Sequence, residues 1–231
     1  ALAGLATALA VESGKKVLPI RGMRLAVAAV LVGLAVAWAY AKGPVLRLWL
    51  RYLSPAPLYH AAGVNYTMAV HRVGAASILM PKFDAEAVLA LIEAHRVTHA
   101  QFVPTMFVRM LKLPDAVREK YDVSSLQCVI HAAAPCPIPT KEKMIAWWGP
   151  IVWEYYGGTE GNGLTICNSA EWMAHKGTVG RAVVGTLRIC DEDGNELPQG
   201  EAGIVYFADG RPFQYHNDPK KTAESRNANG W

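Results

Sequence analysis

The chain has 231 residues and a mass of 25.1 kDa, enough for one large domain or two small ones with a buried core. Hydrophobic residues make up 52% and charged residues 18% of the sequence, which excludes a disordered chain, a coiled coil and a collagen-like repeat. The net charge of +4 is too small to indicate a nucleic-acid partner, so no nucleic-acid binding is expected.

The basic charge is concentrated near the N-terminus. Residues 1–53 hold seven Lys or Arg residues against one acid, Glu12, whereas the remainder holds 16 basic and 18 acidic residues. Within this segment residues 25–41 are uncharged and predict an apolar helix. Seventeen residues are at the lower limit for crossing a bilayer, so two alternatives stay open: membrane association through residues 25–41, and a buried or interfacial helix.

The four cysteines indicate a reduced, cytoplasmic setting. None of the pairs has the two-residue gap of a zinc or redox motif, and the Cys density is too low for a disulfide scaffold. Cys128 and Cys136 are expected to pack as small apolar residues.

Residues 77–155 alternate between short apolar runs and helical patterns. Strands are predicted at 77–80, 98–103, 126–130 and 151–155, with helices that begin at the caps Asp84 and Thr105 and a third helix over Lys141–Trp148. This alternation is typical of an α/β fold with a mainly parallel sheet flanked by helices. The tryptophans at the end of the third helix are expected to pack it against the sheet.

Parallel strands bring their carboxyl ends to one edge of the sheet, where ligands bind in open α/β folds. The loops at Pro104, at Ala132–Pro135 and at Gly157–Gly163 are therefore expected to meet at this edge. After residue 176 one strand over 183–190, two turns and a strand over 204–207 predict a small antiparallel β subdomain. The predicted organisation is an atypical segment 1–53, an α/β part 54–176 and a β-rich part 177–231.

The sequence EYYGGTEG at residues 154–161 carries the clearest chemical signal. Its glycines allow close approach of the backbone to a ligand, and their amides can face an anion. A threonine hydroxyl can donate to a phosphate oxygen, a carboxylate is a hard ligand for Mg²⁺, and a tyrosine ring offers a flat face for a base. On these residues alone a nucleotide site and a glycine-rich surface turn both remain open.

Several motifs in a fixed order sharpen this interpretation. They are SPAPLYHAAG (54–63), FVPTMF (102–107), AAAPCP (132–137), YYGGTEG (155–161), the long run GTVGRAVVGTLRICDEDGNELPQGEAGIVYF (177–207) and YHNDPKKTAES (215–225). Together they resemble the adenylate-forming acyl-CoA synthetases of the AMP-binding superfamily, over roughly residues 52–231. SPAPLYHAAG favours the acyl-CoA ligase branch over peptide-synthetase adenylation domains.

The resemblance implies an enzyme that activates a carboxylic acid with ATP to an acyl-adenylate and transfers the acyl group to CoA, with Mg²⁺ as cofactor. It implies that Thr159 binds the α-phosphate, that Glu160 binds Mg²⁺ and that His60 lies beside the acyl pocket; these are the expected catalytic residues. The residues implied to bind the nucleotide are Tyr156 against adenine with Ala133, Ala134 and Pro135 on its other face, and Glu154, Tyr155, Gly157 and Gly158 along the pocket. A core histidine at position 60 and a surface acid at position 160 are the alternatives, and His131 is expected close behind the adenine loop.

The sequence also departs from the family pattern. The resemblance implies a Ser/Thr/Gly-rich phosphate loop upstream, where this chain has its apolar segment, and an Asp and a Lys-bearing domain downstream. The chain is therefore expected to correspond to the middle of the large N-terminal domain, active in full-length form and inactive alone. A nucleotide-binding remnant without catalysis and a membrane-tethered interaction domain are the alternatives. Residues 1–50 are expected not to match the family, through a changed reading frame, a fused start or an evolved membrane anchor.

Overall fold

A computed structural model describes residues 50–231, and the expected apolar helix at 25–41 lies outside these residues. Within residues 50–231 no helix is long and apolar enough to cross a membrane. The strands in this range are β1 (Arg51–Ser54), β2 (Ala76–Leu79), β3 (His99–Phe102), β4 (Cys128–His131), β5 (Val152–Gly157), β6 (Leu164–Cys167), β7 (Arg181–Val184), β8 (Thr186–Cys190) and β9 (Ile204–Ala208). The helices are α1 (Ala61–Arg72), α2 (Ala85–His95), α3 (Pro104–Leu111), α4 (Asp115–Arg118), α5 (Ile138–Trp148), α6 (Ser169–Ala174) and α7 (Pro219–Glu224).

The described residues form a seven-stranded sheet in the order β2-β1-β3-β4-β5-β6-β7. The neighbouring pairs among β1 to β5 are parallel, while β6 and β7 are added antiparallel. Strands β8 and β9 form a separate antiparallel pair. The predicted α/β fold with a mainly parallel sheet and a small antiparallel sheet is confirmed.

Six of the observed elements were not predicted from the sequence, namely β1, β6, α1, α4, α6 and α7. Strand β1 is only four residues long and lies at the boundary of the segment that the sequence analysis separated, yet it pairs with both β2 and β3. Helix α1 buries Gly63, Tyr66, Thr67 and Val70, a stripe that mixes glycine and polar residues and so hides the helical period. Its Tyr66 stacks on Tyr52 of β1, with ring centroids 5.9 Å apart.

The predicted boundaries are partly corrected by the structure. Asp84 caps α2 as predicted, since its carboxylate accepts a hydrogen bond of 2.8 Å from the Ala87 amide. The predicted cap at Thr105 is wrong, because α3 begins at Pro104 after Val103 and has no side-chain cap. Proline suits the first helical position because the amide it lacks would have no partner there.

The single strand predicted over 183–190 is also wrong. Gly185 has φ +70°, a conformation that glycine adopts readily and that breaks the chain into β7 and β8. Strand β7 completes the large sheet, whereas β8 pairs with β9 in the small one. The change of sheet therefore occurs at one residue whose backbone angle the strand pattern does not reveal.

The main core lies between the large sheet and the helices α2, α3 and α5. Phe102, Phe107 and Trp148 form an aromatic cluster with ring centroids between 5.6 and 6.1 Å apart. The expectation that the tryptophans of the third predicted helix pack it against the sheet is confirmed, with Trp148 buried and Trp147 partly buried. All four cysteines are free, and burial raises the pKa of the Cys128 thiol to about 12.

The register of β4 and β5 positions the candidate site. His131, the last residue of β4, pairs with Glu154 of β5, and β5 continues in the same direction to Gly157. The loops that follow them, at Ala132–Pro135 and from Gly157 onward, consequently lie side by side at the carboxyl edge of the sheet. This confirms the arrangement that the strand–helix alternation predicts.

Two buried histidines should make stability depend on pH. Burial lowers the pKa of His99 to about 4, and burial followed by the charge of Lys141 lowers that of His131 to about 3. The unfolded chain, with histidine pKa values near 6.5, therefore binds more protons than the folded chain below that pH. We expect this contribution to stability to be nearly full at pH 7, and stability to be lower at pH 5 by about 2 kcal/mol for each histidine.

Urea unfolding at the two pH values measures this difference. Replacing His99 by Asn should remove about half of the pH dependence, whereas replacing the exposed His216 by Gln should leave it in place. Equal free energies of unfolding of the unchanged chain at pH 7 and pH 5 would contradict the prediction.

Candidate functional site

The glycine loop, which we define as residues 157–163, joins the end of β5 to the start of β6. Gly161 has φ +71°, which lets the loop turn back. At Gly163 a Cβ atom would lie 2.0 Å from the Phe207 ring of β9, so only glycine permits the contact. The sequence thus forms a tight loop that rests on the small sheet.

The side chains of Thr159 and Glu160 are exposed on this loop. The Tyr215 hydroxyl donates a hydrogen bond of 2.9 Å to the Glu160 carboxylate. The pKa of Glu160 is lowered by a hydrogen bond from its own backbone amide, then by the Tyr215 hydroxyl and by the charge of Lys221. This carboxylate is therefore held in the anionic form that a hard cation requires.

A cavity of about 550 Å³ lies between α1 and the glycine loop. Helix α1 contributes Ala61, Ala62, Asn65, Tyr66, Met68, Ala69 and Arg72. The rest of the lining is Tyr155, Gly157, Gly158, Thr159, Glu160, Gly161, Gly163, Leu164, Val184 and Arg211. The lining is mixed, with apolar side chains beside the polar groups that the sequence motif predicted.

The sequence analysis missed several of these lining residues. Asn65 and Arg72 lie on the helix that was not predicted, and Arg211 lies in an irregular segment after β9. The spacing of Asn65 and Arg72, seven residues apart, would have placed them on one face if the helix had been recognised. The sequence offers no comparable signal for Arg211.

The predicted adenine-binding residues lie outside this cavity. Side chains alternate along a strand, so Tyr155 lines the cavity beside α1 whereas Tyr156 belongs to the opposite face of β5. The Tyr156 ring is 45% exposed and lies 6.3 Å from the Phe207 ring. Ala133, Ala134 and Pro135 are exposed on the neighbouring loop after β4. The structure thus groups Gly157, Gly158, Thr159 and Glu160 with Tyr155, and leaves the Tyr156 face as a separate surface.

Glu154 is turned into the interior and is only 5% exposed. Its Oε2 atom lies 2.5 Å from the Lys141 ammonium and 3.5 Å from His131 Nε2. The Lys141 ammonium also lies 4.8 Å from the centre of the Trp172 ring. Lys141 was read from the sequence only as part of a helix, because a lysine in an amphipathic pattern normally faces water.

His60 lies at the start of α1, where it is exposed and 4.9 Å from the Tyr59 ring. It does not line the cavity between α1 and the glycine loop. Among residues 50–231 no group of three or more His, Cys, Asp or Glu side chains is arranged to hold a metal. Glu160 fits a Mg²⁺ ion of the kind that binds through one carboxylate, water and substrate phosphates.

A sequence profile described as "AMP-binding enzyme" matches residues 26–211 of the chain. The chain belongs to this family. The match includes residues 26–50, so the expectation that the first fifty residues lie outside the family is wrong for this stretch.

This chain is similar in sequence to curated CoA ligases. It is 32% identical over 184 residues to the 3-[(3aS,4S,7aS)-7a-methyl-1,5-dioxo-octahydro-1H-inden-4-yl]propanoyl:CoA ligase of Rhodococcus jostii, covering 78% of this chain and 34% of that protein. It is 31% identical over 184 residues to 4-coumarate–CoA ligase 2 of Nicotiana tabacum, covering 76% of this chain and 34% of that protein. The chain spans about a third of the length of these relatives.

Solved structures share the fold. The amide bond synthetase McbA of Marinactinospora thermotolerans has a TM-score of 0.70 and 25% identity, covering 88% of this chain and 41% of that one. ATP-bound MatB of Rhodopseudomonas palustris has a TM-score of 0.66 and 27% identity, covering 90% of this chain and 39% of that one. The N-terminal domain of FACL13 from Mycobacterium tuberculosis has a TM-score of 0.67 and 28% identity, covering 84% of this chain and 49% of that one.

The loop after β4 contains one strained residue. Ala133 has φ +75°, a left-handed conformation that costs a residue with a Cβ atom about 1–2 kcal/mol. Replacing Ala133 by Gly should relieve this strain and raise the free energy of unfolding by about 0.5–1 kcal/mol. Replacing the neighbouring Ala134, whose φ is not positive, by Gly should lower it by a similar amount. Urea unfolding of the two variants checks this, and a destabilised Ala133→Gly variant would show that the loop does not need this conformation.

The hydrogen bond from Tyr215 contributes to the lowered pKa of Glu160, after the hydrogen bond from the backbone amide. In the Tyr215→Phe variant the donor is lost, and we expect the pKa of Glu160 to rise toward its ordinary value. A titration of the Glu160 carboxyl carbon followed by NMR measures the change. The Tyr121→Phe variant, which removes a hydroxyl that donates to Glu86 instead, should leave Glu160 unchanged; an equal shift in both variants would exclude a direct effect.

Proposed function

We propose that the chain is the nucleotide-binding part of an ATP-dependent acid–thiol ligase. The enzyme joins a carboxylic acid to ATP, giving an acyl-adenylate and pyrophosphate, and the CoA thiol then displaces AMP. The observation that carries the proposal is the exposed Thr159–Glu160 pair on a glycine loop at the carboxyl edge of the sheet, in a chain of the AMP-binding family. The curated relatives, which are CoA ligases, support CoA as the acyl acceptor.

The nucleotide occupies the carboxyl edge across the ends of β4 and β5. Tyr156 packs against one face of adenine, and Ala133, Ala134 and Pro135 approach the other. The backbone of Gly157 and Gly158 allows close approach, and the Thr159 hydroxyl donates to the α-phosphate. Because Tyr156 and the loop after β4 are both exposed and adjacent, a flat base can enter between them without displacing core residues.

Glu160 would hold Mg²⁺, which supplies neutralisation of the phosphate charges as the carboxylate approaches. The lowered pKa of Glu160 keeps its side chain anionic for this task. In the reaction an oxygen of the substrate carboxylate forms a bond to the α-phosphorus, and the bond from that phosphorus to the pyrophosphate oxygen breaks. Thr159 keeps the α-phosphate in position for this displacement.

The cavity beside α1 takes the organic part of the acid. Its alanines, Met68, Leu164 and Val184 provide apolar contacts, and the cavity opens directly onto Thr159, where the adenylate forms. A fatty acid or another carboxylic acid with an apolar body fits this lining. His60 directly precedes α1, the helix that contributes Ala61, Ala62 and Met68 to this lining, and is proposed to act beside the forming adenylate.

For this chain tested by itself we propose nucleotide binding without turnover, since it spans about a third of the length of its curated relatives. A calorimetric titration with AMP tests the binding. Replacing Tyr156 by Ala should remove a base-stacking contact and weaken binding by about tenfold, whereas replacing the exposed Tyr59 by Ala should not. Equal affinity of the two variants would place the base elsewhere.

The role of Glu160 is tested in a full-length ligase that carries this domain. Replacing it by Ala should lower ATP–pyrophosphate exchange by about a hundredfold at limiting Mg²⁺, because the metal acts in the adenylate-forming half-reaction. Replacing the exposed Glu201 by Ala is the matched control. Exchange that is unchanged in the Glu160 variant would remove this residue from the metal site.

A further inference from the structure

We propose that the buried Lys141–Glu154 ion pair positions the two loops of the nucleotide site, so that Lys141 is a positioning residue for nucleotide binding. The inference rests on the proposed function and adds to it a residue that touches no substrate. It also changes the role expected of Glu154, which acts from beneath the site and not along the pocket.

The ion pair joins the elements that carry the two loops. Lys141 lies in the first turn of α5, directly after the loop that contains Ala133–Pro135. Glu154 lies on β5, three residues before Gly157, where the glycine loop begins. The contact of 2.5 Å between Lys141 Nζ and Glu154 Oε2 therefore connects the end of one loop to the start of the other.

The groups around the ion pair do not offer either charge another counter-ion. Lys141 is fully buried and Glu154 is 5% exposed, so either charge alone would lack both water and a counter-ion. His131 faces the same carboxylate at 3.5 Å, but burial and the charge of Lys141 lower its pKa to about 3 and keep it neutral. The nearby thiols of Cys136 and Cys167 stay protonated because burial raises the pKa of each to about 11. The cluster thus contains one cation and one anion that must face each other.

Such an ion pair contributes more to the relative orientation of the two elements it joins than to the stability of the fold. Two apolar side chains of similar volume would fill the same space at little or no loss of stability, because desolvation of the charges offsets their attraction. An ion pair in addition fixes which atoms meet and at what distance. Glu154 and Tyr156 project from the same face of β5, so the pair sets the position of the Tyr156 ring relative to the loop after β4. That loop contains Ala133 in a left-handed conformation, which persists only if its surroundings hold it.

The test uses the whole chain and the double variant Lys141→Met/Glu154→Leu, which removes both charges at similar volume. We expect a urea midpoint equal to or above that of the unchanged chain, an AMP dissociation constant raised about tenfold, and amide hydrogen exchange accelerated about tenfold in residues 132–137 and 157–161. The control is Arg188→Gln/Glu196→Gln, which removes a partly exposed ion pair of 2.7 Å next to the small sheet and should change neither the AMP dissociation constant nor the hydrogen exchange of the two loops. A purely structural role would lower the midpoint and leave the AMP dissociation constant and the hydrogen exchange of the two loops unchanged.

A stable double variant with unchanged AMP affinity and unchanged loop exchange would overturn the proposal. If the double variant fails to fold, the Glu154→Asp variant replaces it, since it keeps both charges and shortens one side chain by a methylene group. We then expect a folded chain with weaker AMP binding, and unchanged binding and exchange again overturn the proposal. If the unchanged chain does not bind AMP, the proposed function fails, while the hydrogen exchange of the two loops still decides the role of the ion pair.

Discussion

Parallel pairing of β1 to β5 is the constraint on which the rest of the structure depends. Because each of these strands ends at the same edge of the sheet, residues that are far apart in sequence, such as Ser54 and Gly157, lie along that edge. Strand pairing alone is enough to position them there. The two antiparallel strands that follow, β6 and β7, extend the sheet sideways from β5. They turn the chain back at the glycine loop, so the loop is anchored by a strand on each side.

The alternation of side chains along β5 then divides the site into distinct compartments. Tyr155 faces α1 and the cavity, Tyr156 faces the exposed surface next to Ala133, and Glu154 continues beneath Tyr156 into the core. Three consecutive residues of one strand thus contribute to a cavity of mixed lining, to an exposed aromatic surface and to a buried ion pair. The glycine loop lies at the end of β5 that all three residues share.

Features that depend on a local sequence pattern were predicted correctly, whereas side-chain contacts between residues distant in sequence were not. The EYYGGTEG loop and its neighbour AAAPCP were placed correctly, because strand–helix alternation determines where their strands end. Helix α1 was not predicted because Gly63 and Thr67 occupy two of its buried positions. The cap predicted at Thr105 is wrong because the helix already begins at the preceding proline. The inward direction of Lys141 depends on Glu154 and Trp172, which come close only in the folded chain. Arg211 reaches the cavity from an irregular segment, for which no periodic pattern exists.

The contact between Gly163 and Phe207 has a consequence for how this sequence can change over time. Phe207 is packed against the glycine loop on one side, and its ring also lies beside Tyr156. A larger residue at position 163 would collide with this ring, and a smaller one at position 207 would leave both the loop and Tyr156 without support. A substitution at one of these two positions preserves the packing only if the other position changes with it. We therefore expect positions 163 and 207 to covary among relatives, although 43 intervening residues separate them in the chain.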